Sequence, residues 1–134
     1  LNKIRENSNE WTEESSDEAF KYLFYRYPYI QNAWAVDMHG IQVTIGRVNN
    51  DGFSQRNAKI FKIHDIGYDY SGEEFYRIIT MGALDVWITK PYTSLINNEL
   101  CMGTSSFIEL QGGNRYILCL EVNYEMFKKM FVID

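Results

Sequence analysis

Between positions 19 and 27 the apolar residues recur every third or fourth place: Ala19, Phe20, Leu23, Phe24 and Tyr27. That spacing predicts one apolar stripe along a helix. Thr12 and the Ser15-x-x-Glu18 pair supply side-chain acceptors for the free amides of a helix start. Ile4 and Trp11 would extend the same face upstream, and Pro28 ends it. Beyond Pro28 the period falls to two. "QNAWAVDMHGIQVTI" predicts two short strands around a turn at His39-Gly40, with Trp34, Val36 and Met38 on one face and Ala33, Ala35 and Asp37 on the other.

A polar loop, "NNDGFSQRN", and an ambiguous stretch, "AKIFKIHDIG", follow. Ser71-x-x-Glu74 is a second capping-box pattern. It predicts a short helix, "GEEFYRIITM", ended by Gly82. "ALDVWITKPY" predicts a strand, and "GTSSFIEL" and "RYILCLEV" predict a hairpin turning on "QGGN". Asn123 caps a last helix, "YEMFKKMFVID". The order is helix, two strands, loop, small helix, three strands, helix. It predicts an α+β domain: about five antiparallel strands, a long N-terminal helix on one face, and a small helix with loops on the other. One domain fills 1–134: the first helix over 1–30, the sheet and pocket region over 31–122, and the last helix over 123–134. In "RYILCLEV", Tyr116, Leu118, Leu120 and Val122 suit packing against the long helix. Ile117, Cys119 and Glu121 fall on the other face, smaller and ending in a carboxylate, as a pocket wall would.

Composition changes the picture modestly. The 134 residues carry 13 basic and 18 acidic side chains, with no basic stripe, which argues against nucleic acid as a partner. Ten tyrosines suit either a dense core or a polar-lined pocket. No run of about 18 apolar residues occurs that would span a bilayer. The chain opens on Leu1 rather than Met, so a membrane segment or signal is expected outside this stretch. Cys101 and Cys119 read either as a disulfide in an oxidising compartment or as two small buried hydrophobes.

Catalytic and metal chemistry has little to stand on. His39 sits in a turn and His64 beside Asp65, and neither belongs to a metal-ligand spacing. No nucleophile elbow or phosphate-binding glycine loop occurs. Glu73 and Glu74 are neighbours on a helix and point about 100° apart, so they are not a paired acid/base site. The isolated domain is expected to be no enzyme, and to hold no metal or cofactor.

The layout, together with "VDMHG", "DYSGEEFYR" and "KPYTS" in that order, resembles the Cache family of PAS-like extracytoplasmic sensor domains, over nearly the whole chain. The resemblance implies a domain outside the cytoplasmic membrane, facing the periplasm or the exterior. It would belong to a transmembrane chemoreceptor, histidine kinase or cyclic-dinucleotide enzyme. A small molecule would sit between the sheet and the loop-plus-helix segment. The family's amine- and amino-acid-binding pattern falls on Tyr68, Glu73, Phe75, Tyr76, Tyr92, Ser94 and Glu121. Glu73 stands where that pattern has an arginine, Phe75 where it has a Trp, Ser94 where it has an Asp, and Glu121 near its last Asp. An arginine grips a ligand carboxylate through two parallel hydrogen bonds, and a glutamate repels it. The set therefore points to an ammonium or quaternary amine, held by aromatic faces and carboxylates. Arg77 and Lys90, if turned inward, would instead take a carboxylate, with Thr89, Thr93 and Ser94 adding hydroxyls.

Two rival readings use the same residues. In one the domain is a dimerisation or signal-relay module without a ligand, in the membrane protein or as a cytoplasmic PAS-like domain. Phe20, Phe24 and Tyr27 of the first helix would then be the homodimer surface. In the other it is a small enzyme, with Asp37 or Glu121 as its buried acid or base.

Overall fold

The computed structural model describes residues 12–49, 64–82, 85–94, 98–110 and 112–131. The upstream extension through Ile4 and Trp11, the loop beyond Asn49 and most of "AKIFKIHDIG" lie outside the described residues. The elements are α1 (Glu13–Arg26), β1 (Ile30–Val36), β2 (Arg47–Val48), α2 (Glu74–Thr80), β3 (Val86–Ile88), β4 (Tyr92–Thr93), β5 (Leu100–Glu109), β6 (Arg115–Asn123) and α3 (Tyr124–Phe131). The plan is α+β, as the periodicity predicts.

α1 opens on Thr12, whose backbone is extended. Its hydroxyl accepts from the Ser15 amide at 3.0 Å, while Ser15 Oγ accepts from the Thr12 amide at 2.9 Å. The box is thus Thr12 with Ser15, one turn earlier than the predicted Ser15 with Glu18. Pro28 follows the last turn, which the Tyr27 amide closes onto the Leu23 carbonyl at 2.8 Å.

All the described strands are antiparallel and form one sheet in the order β2-β1-β6-β5-β3, with β4 paired to β5. Two predicted strands are broken. The stretch after His39-Gly40 makes only isolated bridges, Val36 to Gln42 and Ile41 to Asp69, and its strand, β2, comes later. "ALDVWITKPY" divides into β3 and β4 around Pro91, which has no amide to donate to a ladder. The sheet therefore has six strands among the described residues.

Directly opposed residues share a face, so the register sorts the sheet in two. Ala33, Leu118, Leu120, Met102 and Ile108 face α1 and pack with Ala19, Phe20 and Leu23. Trp34, Val36, Phe107, Ile117 and Cys119 face the other way, and α2 lays Phe75 and Ile79 on them. Phe20 is 1% exposed and Leu23 equally so. Burying each contributes about 1.5–3 kcal/mol. The stripe of α1 is thereby spent on its own core. This corrects the dimer surface expected at Phe20, Phe24 and Tyr27: Phe20 is inside, Phe24 and Tyr27 are half-buried against the sheet, and Tyr25 is the ring that faces solvent.

Candidate functional site

The face of the sheet away from α1 carries the candidate site. Gly40 fixes one end of it. Its φ of +88° suits only glycine, and a Cβ there would stand 3.0 Å from Ser71 backbone atoms. Segment 67–70 can therefore lie against the turn, with the Tyr70 amide donating to the Gly40 carbonyl at 2.7 Å and the Gln42 amide to the Tyr68 carbonyl at 2.9 Å. Tyr70 is thus brought over the sheet and α2 placed on it. Rings then follow one another: Trp34 stacks on Tyr70 with centroids 6.1 Å apart, Tyr70 meets Phe75 at 5.7 Å, and Phe75 meets Trp87 at 6.4 Å. Burial pushes the Tyr70 phenol upward, with nearby Cys119, Tyr68 and Glu73 adding to the shift.

At the other end lies Glu121. The residue is 7% exposed. Oε1 accepts from Gln31 Nε2 at 2.7 Å and Ser94 Oγ at 2.8 Å, and Oε2 accepts from the Tyr92 hydroxyl at 2.8 Å. No lysine, arginine or histidine reaches it among the described residues. Each donor arrives for a structural reason. Gln31 is the extra residue of a β-bulge, since the β1–β6 register shifts between Ile30 and Asn32, and a bulge re-aims its side chain. Tyr92 crosses β5 at Gly103, where a Cβ would stand 3.5 Å from its hydroxyl and 3.3 Å from Thr89 Cγ2. Ser94 follows β4 directly and is fully buried.

Burial and the Glu121 charge push the Tyr92 phenol upward. The same two causes push the Cys101 thiol up to about 12, and burial pushes Cys119 to about 12. Both thiols are free and buried.

Two buried polar atoms on this face have no hydrogen-bond partner, Asn32 Oδ1 and Trp34 Nε1. Asn32 is paired with Glu121 and Trp34 with Cys119, so both belong to this face.

The seven residues of the resemblance are therefore distributed. Tyr92, Ser94 and Glu121 converge on one carboxylate. Phe75 is buried among the rings. Tyr76 turns its hydroxyl to the Met38 carbonyl at 2.8 Å, which ties α2 to the Asp37–Gly40 turn. Tyr68 is exposed and stacks on His64 with centroids 3.5 Å apart. Glu73 is exposed at the N-terminus of α2, with extended backbone and no side-chain cap bond. The predicted Ser71–Glu74 box does not form, because the Ser71 amide donates to Asp69 Oδ1 at 2.8 Å and the helix starts two residues later.

Arg77 and Lys90 are exposed. Thr89 accepts from the Gly103 amide at 2.9 Å. Asp37 accepts from the His39 and Ile41 amides at 2.8 and 3.0 Å, which makes it a turn residue.

Sequence reasoning missed Gln31, Asn32 and Arg115. Arg115 has the parity of Ile117, Cys119 and Glu121, which was legible. It lies over the Phe107 ring at 4.3 Å. Six residues of strand separate it from Glu121, about 20 Å, too far to share one small ligand's two ends. An apolar concavity of about 350 Å³ between α1, α3 and the sheet is lined by Leu23, Tyr29, Met102, Leu120 and Phe127. It lies on the opposite face from Glu121.

No family model and no curated protein matches the chain. Solved structures do. Bacillus subtilis YkuI, a protein with an EAL domain crystallised with c-di-GMP and calcium, is 16% identical with a TM-score of 0.61; the match covers 96% of this chain and 30% of that one. An extracellular ligand-binding receptor from Desulfohalobium retbaense is 14% identical with a TM-score of 0.58, covering 96% and 21%. The chain thus spans less than a third of either neighbour's length, and at these identities the likeness is one of fold: an α+β domain that both a receptor and an EAL protein contain.

Proposed function

We propose that this chain is a ligand-sensing domain of the Cache type, extracytoplasmic in a bacterial transmembrane signalling protein, and that it takes a small cationic amine. One observation carries the reading: the buried Glu121 carboxylate is met by three neutral donors and no cation among the described residues. Neutral donors stabilise a buried charge without cancelling it, and a bound cation would do so. Tyr92 donates to Oε2, and the Cys101 thiol lies against the same carboxylate, which adds another neutral neighbour and no cation. Asn32 Oδ1 offers a second acceptor, and the Trp34 ring, two residues along the same face, would add about 0.5–2 kcal/mol by cation–π attraction. Trp34 Nε1 would donate to an oxygen on the same ligand. Fold neighbours that include an extracellular ligand-binding receptor support the sensor reading. Asp37, occupied by turn amides, and Glu121, held by three donors, support a domain that is not itself an enzyme.

The test is a thermal-shift screen of primary, secondary and quaternary amines, α-amino acids and dicarboxylates. An amine raises the midpoint, by about 2.7 kcal/mol of stabilisation at a hundredfold excess over Kd; dicarboxylates do not. The second reading, a relay module without ligand, is favoured by the run of ring contacts from Trp34 to Trp87. A screen in which nothing raises the midpoint selects it.

A further inference from the structure

We propose that Gln31 and Asn123 are positioning residues that couple the state of Glu121 to the first turn of α3. Three hydrogen bonds run in one sense. Gln31 Nε2 donates to Glu121 Oε1 at 2.7 Å, Asn123 Nδ2 donates to Gln31 Oε1 at 3.2 Å, and the Met126 amide donates to Asn123 Oδ1 at 3.0 Å. Asn123 is therefore the N-cap of α3 and the third link from the carboxylate at once. Gln31, Glu121 and Asn123 are all buried.

The order of donors and acceptors is set by the ends. An ionised carboxylate only accepts, and a backbone amide only donates. The carboxamides between them must then each present nitrogen toward Glu121 and oxygen toward α3. Turning Gln31 over would set its oxygen against a carboxylate oxygen and its nitrogen against the Asn123 nitrogen. Glu99 Oε2, which also accepts from Asn123 Nδ2 at 3.3 Å, reinforces the same orientation. Whatever draws Oε1 away from Gln31 removes one of the two carboxylate acceptors that orient this chain, leaving Glu99 alone to hold Asn123, and the change is felt at the cap of the helix that follows β6. The coupling is a property of the unliganded fold and does not depend on the amine reading.

Amide exchange and side-chain NH2 resonances, recorded on the 134-residue chain without ligand, test it. Glu121→Met removes the acceptor. Gln31 and Asn123 side-chain resonances should move together, and the Met126 amide should exchange about fivefold faster, as for a weakened cap. Thr44→Val, which removes the buried bond from the Ala35 amide to Thr44 Oγ1 at 3.0 Å, destabilises off this path and should leave the three signals in place. If Glu121→Met fails to fold, Glu121→Gln weakens the same bond and should move the same three signals by less. The proposal is overturned if the Gln31 signal moves while Asn123 and Met126 stay, or if Thr44→Val speeds Met126 exchange as much.

Discussion

The two faces of β6 are built from alternate residues of one strand and differ in kind. Leu118 is buried under the stripe of α1, and Leu120 and Val122 border the apolar concavity between α1 and α3. Ile117, Cys119 and Glu121 meet rings, hydroxyls and carboxamides. An apolar face closed by a helix stabilises without selecting anything, because its contacts have no direction. A face that ends in a buried carboxylate, with polar atoms left unpaired beside it, is costly unless something meets those groups. Stability is therefore expected to reside on the α1 face and specificity on the α2 face.

The largest effect expected is on the α1 face. Phe20→Ala leaves a cavity in the core and should cost about 3–5 kcal/mol in urea unfolding. A loss under about 1 kcal/mol would mean that α1 is not the element that closes the core. Next comes Glu121→Leu, which strands the donors of Gln31, Ser94 and Tyr92. At about 1–3 kcal/mol for a buried unpaired group, it should rival a core truncation. Glu121→Gln should cost far less while removing the charge. Equal losses for the two variants would show that the charge, and not the acceptor geometry, holds the donors.

Alkaline titration probes the α2 face, which holds both thiols. Cys101 and Cys119 have folded pKa values raised to about 12 from 9.0. Both bind their protons more tightly folded than unfolded, so their contribution is complete below pH 9 and is lost as pH rises toward 12. Unfolding midpoints should be flat in this respect up to pH 9 and fall above it, and both thiols should resist alkylation at pH 8 until the chain is unfolded. Rapid native labelling of Cys101 would place it at an open surface. The smallest effect is expected from Gly103→Ala. Its new Cβ, 3.3 Å from Thr89 and 3.5 Å from the Tyr92 hydroxyl, should cost about 1 kcal/mol and displace the phenol from Glu121. Unchanged Tyr92 signals would show that the ring does not need the close approach.

What the chain discloses on inspection follows the reach of local patterning. Ala19, Phe20 and Leu23 were legible as an inward stripe because helical period and burial coincide. The opposite faces of Leu118 and Glu121 were legible because a strand alternates without exception over that span. Asn123 was legible as a cap from its place before the last helix. Gln31 was not. It sits at the bulge, where alternation fails by one residue, and its partner is 90 positions away. Glu73 shows the same limit from the other side: its place in a sequence pattern put it in the pocket, while the Asp69–Ser71 turn set the start of α2 so that it faces water. Strand parity pointed to Glu121, the family resemblance to Tyr92, Ser94 and Glu121 one by one, and only the sheet register brings them to one carboxylate.

The central claim is that Glu121 selects a cation on the α2 face. Calorimetric titration of the screened amine into the wild-type chain and into Glu121→Gln tests it most directly. Binding to the wild type with at least tenfold loss in the variant, about 1.4 kcal/mol, is the result expected. Equal affinity for both chains would contradict it.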